Sequence, residues 1–358
     1  MTTWATNTTL EQLADRLRSK KKIIVLTHVK PDGDAVGSTL GLVRALNKPR
    51  PWVQADRAEA WYFGPTPPWI ADIAGGTPHR LLGEGGPPQV EGVDAVVVLD
   101  TGSWTQLEAV HEWLAPRREM TVLVDHHMQG DPEVASERFI DTSAAAACQP
   151  VAELCRLLLG VPDRTALPPD VAEALYMGLA TDTGWFRHSN VSRAVMVTAG
   201  DLLQAGADHV RLYQLLEQRE TVSRLKLLAR ALASLELHDQ DRLAVLTVTK
   251  KDFAEAGAQP GESGGFVDFG QSIPTVQVTC LLTEATASDF GPGADPKGPM
   301  TKVSLRSKAI GHEVDVNVVA KALGGGGHVR AAGARTSRSI EDTKQEVIRL
   351  VQAQTRGA

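Results

Sequence analysis

The sequence predicts an α/β protein: an N-terminal domain over 1–209 with a doubly wound, mostly parallel sheet, a helical connector over 210–238, and a smaller α/β domain over 239–358. Three observations carry that expectation. Ile23-Ile24-Val25-Leu26, Val93 to Leu99 and Thr121 to Val124 are short apolar runs without alternation, the pattern of strands covered on both faces in a parallel sheet. Stretches of helical period separate them, over 35–46, 104–114 and 144–159, which is the order of an open wound sheet. The 358 residues also exceed what one hydrophobic core usually organises, at about 150 residues per domain.

Taken in order, Thr8 or Thr9 caps a first helix that runs toward Lys20, with Glu11 or Gln12 as the capping-box partner. Pro65 to Pro68 and Gly83 to Pro88 read as surface loops. Val171 to Ala180 is an apolar helical run, and Val210 to Leu237 is helical in period with one charged side, which suits a connector. Leu243 to Thr249, Val276 to Leu282 and Lys302 to Lys308 read as strands, and Thr286 to Pro299 as a protruding loop rich in Gly, Pro and Asp.

Composition excludes several classes. A net charge of −6 has the wrong sign for coating long nucleic acid, and 5% aromatic content argues against an extended base-stacking platform, although a short anion at a local site remains open. No basic leader precedes an apolar stretch at the N-terminus and no run of about 18 apolar residues occurs, so a cytoplasmic protein without membrane insertion is expected. Cys148, Cys155 and Cys280 make no C-x-x-C pair and read as small apolar side chains in a reducing compartment.

The chemistry gathers where predicted buried strands end. His28 leads into Pro31-Asp32-Gly33-Asp34, Leu99 into Asp100, and Val124 into Asp125-His126-His127. In a parallel sheet these ends share one edge, so the groups converge. Uncompensated carboxylates there would be driven toward protonation, whereas divalent cations hold them ionised. Imidazole with carboxylate and no thiolate disfavours a structural zinc site and suits manganese, with iron, cobalt or magnesium as lesser candidates. Singly, each piece is an ordinary cap or turn; Thr181-Asp182-Thr183-Gly184 adds a further carboxylate. Ser38, after Gly37 near a helix start, reads as a packing or capping residue and not a nucleophile.

In the second domain, Lys302, Ser304, Arg306 and Lys308 share one strand face by the two-residue period. Asp315 caps a helix over 316–323 that Gly324 ends, and the glycines that follow expose backbone N–H groups beside His328 and Arg330.

His28-x-x-Pro-Asp32-Gly-Asp34-Ala-x-Gly-Ser38, Asp100-Thr-Gly, Asp125-His126-His127 and Asp182-Thr-Gly, in that order, resemble the four motifs of the DHH phosphoesterase superfamily. With Arg306-Ser307 and Gly324-Gly-Gly-Gly-His328-x-x-Ala-Ala-Gly333, the chain is similar to the branch bearing a DHH-associated C-terminal domain, of the oligoribonuclease and pAp phosphatase type; the resemblance spans about Leu10 to Gly333. It implies one metal on His28, Asp32 and Asp100, and a second on Asp34, Asp100, His126 and Asp182, with Asp100 bridging. It implies that His127 faces the scissile phosphate, that Asp125 orients the histidines or is merely structural, and that Arg306, Ser307, Gly326, Gly327 and His328 hold the far phosphate or sugar in a cleft between domains. His188, in Arg187-His188-Ser189-Asn190, is a further candidate substrate contact. The remaining histidines, His79, His111, His209, His238 and His312, are expected to be structural or exposed.

The resemblance further implies a manganese-dependent homodimer acting on very short RNA and on pAp. A phosphodiesterase for cyclic di-AMP or pApA is the alternative, followed by a RecJ-like single-strand DNA exonuclease and an inorganic pyrophosphatase. A non-catalytic nucleotide-binding module is the reading from another class, and the intact set of acids and histidines argues against it.

Overall fold

The computed structural model describes residues 3–49, 56–82, 86–284, 298–308 and 314–355. Most of the loop expected over Thr286 to Pro299, part of the one over Gly83 to Pro88, and His312 lie outside the described residues. The chain divides into two units, Met1–Arg219 and Glu220–Ala358.

In the first unit α1 (Leu10–Arg18) starts at Thr9, whose hydroxyl accepts from the Gln12 N–H while the Gln12 side chain accepts from the Thr9 N–H, a closed capping box. β1 (Ile23–Leu26), α2 (Gly33–Asn47), β2 (Ala58–Phe63), α3 (Ile70–Ala74), β3 (His79–Leu82), β4 (Ala95–Leu99), α4 (His111–Leu114), β5 (Thr121–Asp125) and β6 (Glu137–Ile140) follow. Then come α5 (Cys148–Leu159), α6 (Pro169–Asp182), α7 (Arg193–Gln204) and α8 (His209–Glu217). The sheet order is β3-β2-β1-β4-β5-β6, and every pairing is parallel. β1, β4 and β5 are buried on both faces, as their unbroken apolar runs require. The chain reverses its winding between β1 and β4, and a wound sheet opens its binding crevice there, beyond the carboxyl ends of the strands.

The helix expected over 104–114 is mostly absent. Those residues form turns and a short 3-10 segment, Glu108–Val110, before the four-residue α4. The Trp104 N–H donates to the Asp131 carboxylate at 2.8 Å, which diverts the backbone into the loop after β5.

Two helices bring the site together. α2 and α6 cross in backbone contact: a Cβ on Gly37 would lie 2.5 Å from the Ala174 carbonyl oxygen and 2.8 Å from the Gly178 nitrogen. One turn to either side, Gly33 lies against the Thr181 side chain and Gly41 against the Leu175 side chain. The glycines of the Asp32-Gly-Asp34-Ala-x-Gly-Ser38 motif are therefore the contact stripe of α2, and the crossing sets Asp34 near Asp182 at the end of α6. Ser38 is fully buried and its hydroxyl donates to the Ala35 carbonyl, so it packs inside α2.

The residues expected to connect the domains form two helices, α8 and α9 (Val222–Ala233), and end in an edge strand of the second unit's sheet instead of continuing as helix. Leu212 of α8 is buried in the first unit's core, while Leu227 and Ala231 of α9 are buried in the second's. The second unit continues with β7 (Glu236–His238), β8 (Leu243–Val248), α10 (Lys250–Ala256), β9 (Val278–Glu284), β10 (Thr301–Ser307), α11 (Val316–Ala322), β11 (Gly326–His328), β12 (Ala331–Thr336) and α12 (Ile340–Thr355). Its sheet order is β11-β12-β10-β9-β8-β7; only β8 and β9 pair parallel. Among the described residues no helix is long and apolar enough to cross a membrane.

Candidate metal centre

The ends of β1, β4 and β5 deliver His28, Asp100 and the Asp125-His126-His127 run to one edge, and α2 and α6 add Asp32, Asp34 and Asp182. The ligand-capable atoms of His28, Asp32 and Asp100 lie within 4.8 Å of one another, and so do those of Asp34, His126 and Asp182. Asp100 stands between the two groups. Its Oδ2 is 3.6 Å from His28 Nε2, and its Oδ1 is 3.3 Å from His126 Nε2.

Each side chain is aimed by local structure. His28 Nδ1 faces the Val29 carbonyl at 2.9 Å, which leaves Nε2 to the site. Asp32 caps α2, accepting through Oδ1 from the N–H groups of Asp34 and Ala35. Asp34 is fully buried and accepts from Ala147 N–H at 2.5 Å and Cys148 N–H at 3.0 Å, so the N-terminus of α5 steadies its negative charge. Asp100 holds φ at +61°, a left-handed turn rare outside glycine and enriched at functional sites, with its N–H on the Val124 carbonyl.

Asp125 is fully buried, and its Oδ1 accepts from His126 N–H, from His127 N–H and, at 2.7 Å, from His127 Nδ1. That contact answers a geometric ambiguity. Asp100, His126 and His127 form a third group of possible donors, but the His127 nitrogen nearest Asp100, at 3.9 Å, is the Nδ1 already committed to Asp125. His127 is left with a free Nε2 on a half-exposed ring.

The electrostatics show what the cluster lacks. Burial, then the charges of Asp100 and Asp182, push the Asp34 carboxyl well above the usual carboxylate range. Burial, then Asp100, raises Asp182 to about 6. Burial by itself lowers His28, yet contacts to Asp100 and Asp32 prevail and bring it up to about 10. His126 responds alike, reaching about 9 beside Asp100, Asp34 and Asp182. The hydrogen bond that His127 donates to the Asp125 carboxylate raises His127. Raised proton affinity at all of these groups marks a cluster with an excess of negative charge, and Asp100 Oδ1 is buried without a hydrogen-bond partner. Oxygen and imidazole donors around an unpartnered buried carboxylate oxygen fit divalent cations.

The cavity over this cluster has a volume of about 380 Å³ and is lined by His28, Asp32, Asp100, His126, His127 and Asp182. Thr101, Gly102, Ser103, Thr105, Gln106 and Gln129 line it as well. Thr101 and Gly102 belong to the Asp100-Thr-Gly motif, while sequence reasoning missed the other four, because a neutral loop residue carries no signal until the fold places it.

His188 is not among the lining residues. Gly184, Trp185 and Phe186 take successive left-handed conformations, with φ of +55°, +56° and +63°, and the His188 ring folds back over Gly184. Asn190 donates to the Asp182 carbonyl at 3.2 Å instead.

In the second unit, β10 alternates as expected, with Val303, Leu305 and Ser307 inward and Lys302, Ser304 and Arg306 outward. Arg306 and Ser307 therefore face opposite sides. Ser307 is buried and its hydroxyl donates to the Val329 carbonyl, while Arg306 Nε lies 3.3 Å from Asp268 Oδ1. Arg306 is in register with Ala331 of β12, and Ala331 with His328 of β11, so Arg306 and His328 stand in one row with a methyl between them. The next row is Ser304, Gly333 and Gly326, a nearly bare floor. The glycine run is less open than expected: Gly324 and Gly325 N–H groups close the end of α11, and Gly326 to His328 form the edge strand β11.

A wound sheet with an acid–imidazole cluster at its switch point, followed by a mixed-sheet unit, is an arrangement that suits metal-assisted hydrolysis of a phosphate ester. Residues 22–179 match the DHH family, N-terminal domain, and residues 240–356 the DHHA1 domain. A bifunctional oligoribonuclease and PAP phosphatase NrnA from Thermus thermophilus is 31% identical over 312 residues, 87% of this chain and 83% of that protein. The chain belongs to the DHH phosphoesterase family. It is also 24% identical to the cyclic-di-AMP phosphodiesterase PdeA of Listeria monocytogenes, over 97% of this chain but 50% of that protein. An exopolyphosphatase-related protein from Bacteroides fragilis has the same fold, with a TM-score of 0.75 at 22% identity over 99% of this chain and 100% of that one.

Proposed function

We propose that the protein is a manganese-dependent phosphoesterase that degrades very short RNA to nucleoside 5′-monophosphates and removes the 3′-phosphate of pAp. The observation that carries this reading is the pair of donor groups sharing Asp100. His28, Asp32 and Asp100 hold one cation, and Asp34, Asp100, His126 and Asp182 the other. Bound there, two divalent cations lower the pKa of water and offset the charge of a phosphate.

The chain's own groups do the rest. Asp125 fixes His127 through Nδ1, so that Nε2 donates to a non-bridging oxygen of the scissile phosphate. Asp34 and Asp100, both buried, fix the spacing of the centre. No protein nucleophile is needed: Ser38 is sealed inside α2, and burial holds the Cys148 thiol well above its ordinary value. Arg306 and His328, in one row over the small residues of β11 and β12, grip the distal phosphate or sugar. Gly326 and Gly327 give it room, and Ser307 braces the row from beneath. His188 joins only if a substrate draws it off Gly184.

The relatives named for oligoribonuclease and PAP phosphatase activity support this choice of substrates, and the homodimer is proposed from the same resemblance. The test is a product assay with Mn²⁺ on pAp, cyclic di-AMP, and 5′-labelled RNA and DNA from two to about 24 nucleotides. AMP from pAp, and monophosphates from dinucleotides to pentanucleotides with a steep fall beyond, are expected. Preferential cleavage of cyclic di-AMP, or processive attack on the longest DNA, overturns the substrate assignment. Full activity after exhaustive chelation overturns the metal assignment.

A further inference from the structure

We infer that Trp4 is a positioning residue for His127, an indole strap that closes the seam between the two loops walling the catalytic cavity. The inference rests on the proposed contact of His127 with the scissile phosphate. Trp4 Nε1 donates to the His127 carbonyl at 3.1 Å. Its six-membered ring lies against Gly102, in the loop after β4, and Gly130, in the loop after β5; a Cβ on Gly130 would come within 2.5 Å of the ring, and one on Gly102 closer still. Both glycines are open ground for a flat aromatic ring. The two loops also meet beneath it, where the Asp131 N–H donates to the Gly102 carbonyl at 2.7 Å.

The segment that carries the indole is fixed in register on the outer edge of β6. Thr6 Oγ1 donates to the Ile140 carbonyl and accepts from the Ile140 N–H, both at 2.8 Å. Asn7 N–H donates to the Arg138 carbonyl at 2.9 Å, its Oδ1 accepts from the Arg138 N–H at 2.6 Å, and its Nδ2 donates to the Ser136 carbonyl at 2.9 Å. Two polar side chains thus supply the pairing that a seventh strand's backbone would have given, and the capping box at Thr9 anchors the far end. By contrast, the loop that bears His127 has little ballast of its own: Met128 is 83% exposed. An imidazole that must meet a phosphate oxygen within a fraction of an ångström needs its backbone held from outside.

Asp125 holds the His127 ring and main-chain N–H, and Trp4 holds the His127 carbonyl. Neither the composition nor the motifs single out Trp4, since its partners are glycines and a carbonyl.

The test is a double-mutant cycle on the manganese-loaded, full-length enzyme with pAp. Trp4→Ala is expected to lower kcat about 10-fold or more with KM nearly unchanged, the scale of losing a residue that orients a reacting group. In a His127→Ala background the same substitution is expected to cost nothing further, because coupled residues are not additive. Trp4→Phe keeps the ring on the glycines, loses the N–H donor, and should lie between. Manganese content by elemental analysis should match wild type in every variant, which separates loss of positioning from loss of the centre. Equal fold-losses in both backgrounds, or an unchanged kcat in Trp4→Ala, overturn the inference and leave the proposed function standing. An unchanged kcat in His127→Ala overturns both. If Trp4→Ala does not fold, the cycle run with Trp4→Phe decides in the same way.

Discussion

Stripping the metal-free protein of protons tests the electrostatics of the centre directly. His28 is raised from 6.5 to about 10, and its side chain is only 16% exposed, so solvent screening is modest. A folded-state pKa above the unfolded one stabilises the fold fully below pH 6.5, and that stabilisation is lost as pH rises through 9 and 10, where His126 and His28 release their protons. The raised carboxyls act in the same direction: Asp182 costs nothing while protonated and increasingly opposes folding as pH climbs from 3.8 through about 6, and Asp34, raised well above the usual carboxylate range, does the same. Each factor of ten in proton affinity is worth about 1.4 kcal/mol, which puts His28 alone on the order of 5 kcal/mol. His28 and His126 share Asp100, so their contributions are coupled and do not simply add. At about 2–4 °C per kcal/mol for a unit of this size, the Tm of chelated protein should fall by on the order of 10 °C between pH 6.5 and 10. Differential scanning calorimetry with and without Mn²⁺ reads it. Added metal takes over from the protons, so the loaded protein should lose little over the same range and bind metal more tightly as pH rises. A chelated Tm that is level or increasing across pH 6.5 to 10 refutes the reasoning.

Three further outcomes follow from the geometry. Gly37→Val puts its side chain into the Ala174 and Gly178 backbone, which cannot give way, and should cost about 3 kcal/mol, read as a Tm lower by roughly 10 °C. Asp125→Asn removes the negative charge on which three donors converge and should lower kcat about 10- to 100-fold, with Mn²⁺ stoichiometry preserved in elemental analysis. Gly327→Ala would place a Cβ 2.5 Å from the Ala331 carbonyl oxygen; pushing β11 off β12 should raise KM for pAp several-fold at an unchanged Tm of the first unit, checked by steady-state kinetics and calorimetry.

The sequence was most legible where physics repeats itself. β1, β4 and β5 are buried on both faces, so their unbroken apolar runs announced them, and the acids and imidazoles at their ends announced the site. β2, β3 and β6 were missed because charged residues interrupt them: Glu59 sits in β2 bonded to the Trp61 indole and to Arg80, and β6 is Glu-Arg-Phe-Ile. Ser38, read as a packing or capping residue, packs inside α2, but that Gly33, Gly37 and Gly41 form one contact stripe needs α6, which lies more than a hundred residues later. His188 looked promising through nearness to Asp182 in sequence, and three left-handed residues fold it aside. Arg306 and Ser307 are adjacent in sequence and therefore opposite across the sheet, a consequence of the same alternation that had been read correctly for Lys302, Ser304 and Arg306.

The crossing of α2 and α6 separates two properties that enzymes often trade against each other. At Gly37 main chain touches main chain, so the interval between the Asp34 and Asp182 carboxylates is set by backbone atoms and by the glycines that let them meet. The cavity's neutral rim, Ser103, Thr105, Gln106 and Gln129, belongs to loops and bears none of that geometry. The scaffold can retune which phosphate ester it accepts by exchanging rim residues, while the ruler that measures out its reaction centre stays the same length.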